Sequence, residues 1–118
     1  MRQHHKNRKC GRPTSQRAAL LKSLALSLIK SGRIKTTEAK AKELRPFMEK
    51  LVTRAKVGTL ASKRIIISRL MNRTPESKVL IEEIAPRFKG VAGGYTRVLK
   101  LPPRKSDGAK MALIEFVK

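Results

Sequence analysis

Two adjacent histidines, His4 and His5, and a single cysteine, Cys10, fall within the first ten residues. They are potential metal ligands, but structural zinc wants four ligands at spacings that wrap around the ion. An adjacent histidine pair does not supply that pattern. In so basic a setting His4 reads as a phosphate contact and Cys10 as an inert small side chain. The lone cysteine also rules out an internal disulfide and fits a reducing compartment. The 8 acidic residues are scattered, mostly on expected helix faces where pairing with Lys or Arg accounts for them. No carboxylate pair, nucleophile–base set or Walker loop can be assembled. The chain is therefore not expected to be an enzyme, and no cofactor, metal or small-molecule substrate is expected.

A second group is Gly93-Gly94-Tyr95-Thr96-Arg97. With Gly90 these glycines do not match a dinucleotide fingerprint. They do remove the Cβ barrier to a phosphate, their amides can donate, and Arg97 adds charge and a planar fork. The same segment equally suits an ordinary loop entering a strand. Tyr95 has two readings, stacking on a sugar or base, or anchoring in the core.

Charge decides the class of partner. The chain has 29 Lys plus Arg against 8 Asp plus Glu, a net charge of +21. The first acid is Glu38, and ten Lys or Arg precede it. Such a stretch cannot neutralise itself and requires an external polyanion. No apolar run approaches the ~18 residues of a membrane span. A basic amphipathic first helix could lie on an anionic membrane, but its apolar face is matched by further apolar elements, so packing inside the fold is simpler. A basic start followed by Ala18-Ala19-Leu20-Leu21 resembles a targeting leader, yet Lys22 interrupts the apolar region and no clear cleavage site follows. Helix–turn–helix DNA binding is a rival, because two expected helices meet across Val57-Gly58-Thr59; apart from Arg64, the second offers few side chains that pair with base edges. Aromatics are only 3% of the chain, which disfavours a base-stacking reader of single strands and leaves phosphate contact.

These groups need a scaffold, and 40% hydrophobic residues suffice for a core. Residues 1–13 read as an extended basic arm, and 14–118 as a single α+β domain. Thr14 or Ser15 can cap a first helix after Pro13, which Ser31-Gly32 ends. Its core face is Leu20, Leu21, Leu24, Ala25, Leu28 and Ile29. Lys22, Ser23, Ser27 and Lys30 lie opposite, with Leu26 an exception among them. Arg33 to Thr37 alternates like a strand. A second helix runs from Glu38 to about Lys56, burying Ala41, Leu44, Phe47, Met48, Leu51, Val52 and Ala55. Pro46 is expected to kink it or split it near Arg45. Thr59 caps a third helix, Leu60 to Met71, although Ile65-Ile66-Ile67 would also suit a strand. Thr74-Pro75 opens a fourth, with Leu80, Ile81, Ile84 and Ala85 buried and Pro86 as its end. Tyr95 to Leu101 and Ala109 to Val117 read as a hairpin across a turn framed by Pro102-Pro103 and Ser106-Asp107-Gly108. Helix, strand, three helices and two strands then pack as one helical layer on a small three-stranded mixed sheet.

Three runs carry a family resemblance. Arg8 to Leu21 (RKCGRPTSQRAALL), Ile34 to Arg45 (IKTTEAKAKELR), and Arg87 with Gly93-Gly94-Tyr95-Thr96-Arg97 and Ile114-Glu115 occur in that order. They resemble the signatures of the family of the seventeenth large-subunit protein of the bacterial ribosome. Departures are Met1-Arg2-Gln3-His4, where the family usually starts Met-Arg-His-Arg, Cys10 in place of Leu, Gln16 in place of His, and the loop Pro102 to Asp107. They bear on individual contacts at Gln3, Cys10 and Gln16, not on the fold.

The resemblance implies a structural constituent of the large ribosomal subunit. It would bind 23S rRNA near the peptide exit region beside other large-subunit proteins, in the cytoplasm or in an organelle of bacterial descent. It also implies that the basic start belongs to the mature protein. On this reading Arg2, His4, Lys6, Arg8, Lys9 and Arg12 of the arm thread between RNA segments. Arg17, Arg33, Lys35, Lys42, Arg45 and Arg97 make contacts from the body, with Gly93, Gly94 and Tyr95 approaching the backbone. Phosphate and sugar contacts are expected to outweigh base readout.

Overall fold

The computed structural model describes residues 14–117. The expected arm lies outside the described residues, and with it His5, Cys10 and the contacts expected at Arg2, His4, Lys6, Arg8, Lys9 and Arg12. In chain order the elements are α1 (Thr14–Ser31), β1 (Arg33–Thr37), α2 (Glu38–Val57), α3 (Leu60–Arg69), α4 (Thr74–Val79), β2 (Thr96–Leu101) and β3 (Met111–Phe116). Two irregular turns follow α4, a π turn (Leu80–Ile84) and a 3-10 turn (Ala85–Phe88).

Local chemistry explains the boundaries. Gly32 and Gly58 close α1 and α2 at φ +80° and +73°, a region open to glycine at no Cβ cost. Thr37 and Thr59 cap α2 and α3 by accepting from the Lys40 and Ser62 amides. The Ile65–Ile67 run is helical, as the cap and length indicated, because Ile66 turns into the core while its neighbours stay partly exposed.

α2 is the organising element. Ala41, Leu44, Met48, Leu51, Val52 and Ala55 are all buried on one stripe, with Phe47 packed at its edge. The helix contacts all three strands, α1, α3 and both irregular turns. Its core neighbours include Ile66, Leu80, Ile84, Phe88, Ile114 and Phe116.

Three expectations are corrected, and one of the two alternatives at Pro46 is excluded. The sheet is antiparallel throughout rather than mixed, in the order β1-β3-β2, because the last strand inserts between the other two and runs against both. α2 is not split at Pro46. The proline sits on the solvent side of the helix, where water can satisfy the Lys42 carbonyl left without its donor. Leu26 is buried, since α1 packs against both α2 and α4 and so needs a face wider than one stripe. Pro86 does not end the fourth helical segment. The backbone widens first, the Ala85 amide donating to the Leu80 carbonyl, and then tightens into a 3-10 turn through Phe88. That relieves the clash a proline ring makes with the preceding turn of an α-helix.

Candidate nucleic-acid interface

Strand alternation sorts the sheet residues onto two faces. Ile34, Val98, Ala112, Ile114 and Phe116 turn toward α2 and the core. Among the described residues no helix packs on the opposite face. Register lays it out in rows: Arg33, Glu115 and Arg97; then Lys35, Leu113 and Leu99; then Thr37, Met111 and Leu101. Because β3 is central, Arg33 and Arg97 flank Glu115 from both sides, about 10 Å apart across two strand spacings. Arg97 Nε donates to Glu115 Oε1 at 2.7 Å. Arg33 and Lys35 have no ion pair among the described residues.

The β2–β3 connection adds cations that sequence reading missed. Lys35, Met111, Pro102, Pro103, Arg104 and Lys105 line a depression of about 320 Å³ at the rim of this open face. The turn is held by Arg104, whose Nε and Nη2 donate to the two Asp107 oxygens at 2.9 and 2.7 Å. The Ala109 amide also donates to Asp107, at 3.1 Å. Arg104, then Ala109, hold the Asp107 carboxyl at about 2, below its ordinary 3.8. A lowered carboxyl favours the fold above its unfolded pKa and loses that contribution as pH falls toward 2. A carboxyl NMR titration is therefore expected to place the Asp107 midpoint near 2, and Arg104→Gln should move it up toward the ordinary value. The pattern Pro-Pro-Arg-Lys before Ser-Asp-Gly marked a turn. Only the register shows that the turn folds beside Lys35.

The other expected contacts do not converge here. Lys42 and Arg45 lie on the solvent side of α2, across the sheet from the open face, where they pair with Glu38 at 2.8 Å and Glu49 at 3.1 Å. Arg17 is half-buried near the start of α1. The Gly93–Thr96 segment acts as a brace. Glu49 Oε1 accepts from the Gly94 amide at 3.2 Å, and its Oε2 accepts from Thr96 Oγ1 at 3.1 Å and from Arg45. The Gly94 amide thus already has an acceptor, and that acceptor is an anion.

Of the two readings of Tyr95, the structure shows the anchor. Its side chain is 2% exposed, and its ring meets Phe88 edge-on at 5.1 Å. Thr53 and Lys56 lie 3.4 and 3.2 Å from its hydroxyl, which they hold below its ordinary pKa, Thr53 most. Lys56 Nζ also donates to the Val91 carbonyl.

Ion pairing explains which cations stay available. Glu38, Glu49, Glu76, Asp107 and Glu115 each take a Lys or Arg partner inside the fold, from Lys42, Arg45, Lys30, Arg104 and Arg97. Among the described residues no group of three or more His, Cys, Asp or Glu could hold a metal ion, and no helix is long and apolar enough to cross a membrane.

A family model described as ribosomal protein L17 matches residues 20–117. The chain belongs to the ribosomal protein L17 family. The resemblance carried by the three signature runs is thereby established. Relatives are similar along nearly their whole length. The large ribosomal subunit protein bL17 of Campylobacter jejuni subsp. doylei is 50% identical over 117 residues, 99% of each chain. That of Gemmatimonas aurantiaca is 51% identical over 117 residues, spanning 99% of this chain and 98% of its own. The Campylobacter concisus protein of the same name is 49% identical with the same coverage. Among the described residues, then, this member of the L17 family presents a sheet face that no helix covers, with Arg33, Lys35 and Lys105 unpaired and Arg97 beside them.

Proposed function

We propose that this L17-family chain is a structural constituent of the large ribosomal subunit that binds 23S rRNA through phosphate and sugar contacts. The likeness to proteins named for the large subunit, at about half identity over almost the full chain, carries the reading. Its role is to support subunit assembly and translation near the peptide exit region, in the cytoplasm, beside neighbouring large-subunit proteins. That is architectural rather than catalytic work. The open sheet face supports the RNA reading. Unpaired cations there sit in a concave, register-fixed array, and the adjoining Leu99 and Leu113 give sugars an apolar surface. Arg17, Lys42 and Arg45 add charge from other sides, and the basic residues of positions 2–12 add more. Gly93, Gly94 and Tyr95 contribute by setting β2 against α2, so that Arg97 is presented in register.

Each cation that neutralises a phosphate contributes roughly one unit to the slope of log affinity against log salt. The variant Arg33→Gln, Lys35→Gln, Lys105→Gln is expected to lower that slope by about two to three on 23S rRNA fragments. Filter binding across a salt series measures it. An unchanged slope would show that this face does not meet RNA.

A further inference from the structure

The turn between α2 and α3 breaks the surface rules that the rest of the fold follows. Val57 and Leu60 are 61% and 64% exposed, the most exposed large apolar side chains among the described residues, and only Gly58 and Thr59 separate them. Beside them opens a depression of about 380 Å³ whose floor includes Ala55, Ile81, Ala85 and Pro86. Lys63 and Lys89 stand at its rim. Lys56 also lines it, but its ammonium is spent on the Val91 carbonyl and the Tyr95 hydroxyl, so its stem contributes apolar wall instead of free charge. The nearest acid lining the adjoining depression, Glu82, does not line this one.

We propose that this depression is a protein-docking site, built for an apolar side chain flanked by carboxylates on a neighbouring large-subunit protein. An apolar centre within a polar, charged rim is the anatomy of a protein interface. The two rim ammoniums ask for acidic flanks. RNA suits the site poorly. Bases bind by stacking on aromatic rings or guanidinium planes, and neither lines this depression, since the nearby rings of Tyr95 and Phe88 are buried. Aliphatic Val57 and Leu60 gain nothing from a phosphate backbone, but gain by being removed from water. The molecule thus has two working faces of different chemistry, an arginine-bearing sheet for RNA and an aliphatic, lysine-rimmed depression for protein.

The inference rests on the ribosomal reading, and one experiment separates their failures. A photoreactive benzophenone amino acid is placed at Leu60, and in a second full-length chain at Leu99 on the sheet face. Both are expressed in cells, large subunits are purified and irradiated, and adducts are identified by nuclease treatment and mass spectrometry. The Leu60 probe is expected to give nuclease-resistant adducts to one large-subunit protein, at a segment carrying Asp or Glu. The Leu99 probe is expected to give nuclease-sensitive adducts. Adding Lys63→Glu and Lys89→Glu to the Leu60 chain should lower its yield severalfold. Adducts of Leu60 to rRNA, or none from chains that have entered subunits, overturn the protein-docking site alone. Absence of both chains from large subunits overturns the ribosomal reading and the docking site with it.

Discussion

Phe88→Ala is expected to lower the stability of the fold by about 3–5 kcal/mol, the range for truncating a buried aromatic. Phe88 is fully buried at the end of the 3-10 turn, with Tyr95 at 5.1 Å and Phe116 at 6.3 Å between ring centroids. It joins three parts of the chain, the turn after α4, the loop before β2 and the last strand. Alanine there leaves a cavity that these segments cannot close without breaking the Tyr95 hydroxyl network or the β3 register. Domains of this size keep only about 5–15 kcal/mol of net stability, so the variant should retain little margin. A thermal melt followed by circular dichroism should show a midpoint lowered by roughly 15 °C or more. A shift of only a degree or two would mean that the ring cluster does not hold β2 and β3 to α2. Charge is untouched, so whatever fraction stays folded should keep its salt dependence of RNA binding.

Deleting residues 1–12 is expected to do the reverse. The deletion removes Arg2, Lys6, Arg8, Lys9 and Arg12, five of the ten cations that precede Glu38. If each neutralises one phosphate, affinity for 23S rRNA fragments falls on the order of a thousandfold at 0.15 M salt. Subunits carrying the truncated chain should lose it when pelleted through high salt, while full-length chain stays bound. Among the described residues the core runs from α1 to β3, so the melting midpoint should hardly move. Loss of the cooperative transition would show that these residues belong to the folded unit and not to an arm. The two experiments separate stability from binding, which charge and core composition alone leave entangled.

Much of this could be read before any coordinates. Periodicity exposed the α2 stripe from Ala41 to Ala55 because this helix packs against every other layer of the fold, and each of its turns must bury a residue. Thr37, Thr59, Gly32 and Gly58 signalled helix boundaries through chemistry local to the chain. Errors arose where a residue answered to something distant in sequence. Leu26 looked misplaced on α1 because one face was assumed, whereas α2 and α4 demand two. Pro86 looked terminal because the widened turn that accommodates it cannot be inferred from residue type. Glu49 pairs with Arg45 on the helix face, as expected of such acids, but also takes Gly94 and Thr96 from a segment more than forty residues away, which no local pattern announces.

The sequence by itself determined that this protein needs a polyanion, that it carries a helical core with three strands, and which family it resembles. Those properties follow from charge balance, local propensity and signature order, all sums over neighbouring residues. Tertiary structure alone decided where the charge lies. Inserting β3 between β1 and β2 put Arg33, Lys35 and Arg97 on one face, and folding the Pro102–Lys105 turn beside Lys35 completed it. The same packing put Lys42 and Arg45 elsewhere, committed the Gly94 amide to Glu49 and Tyr95 to the interior, and left Val57 and Leu60 in the open. The physical reason is that register and packing set distances between residues far apart in the chain, and no window of sequence contains those distances.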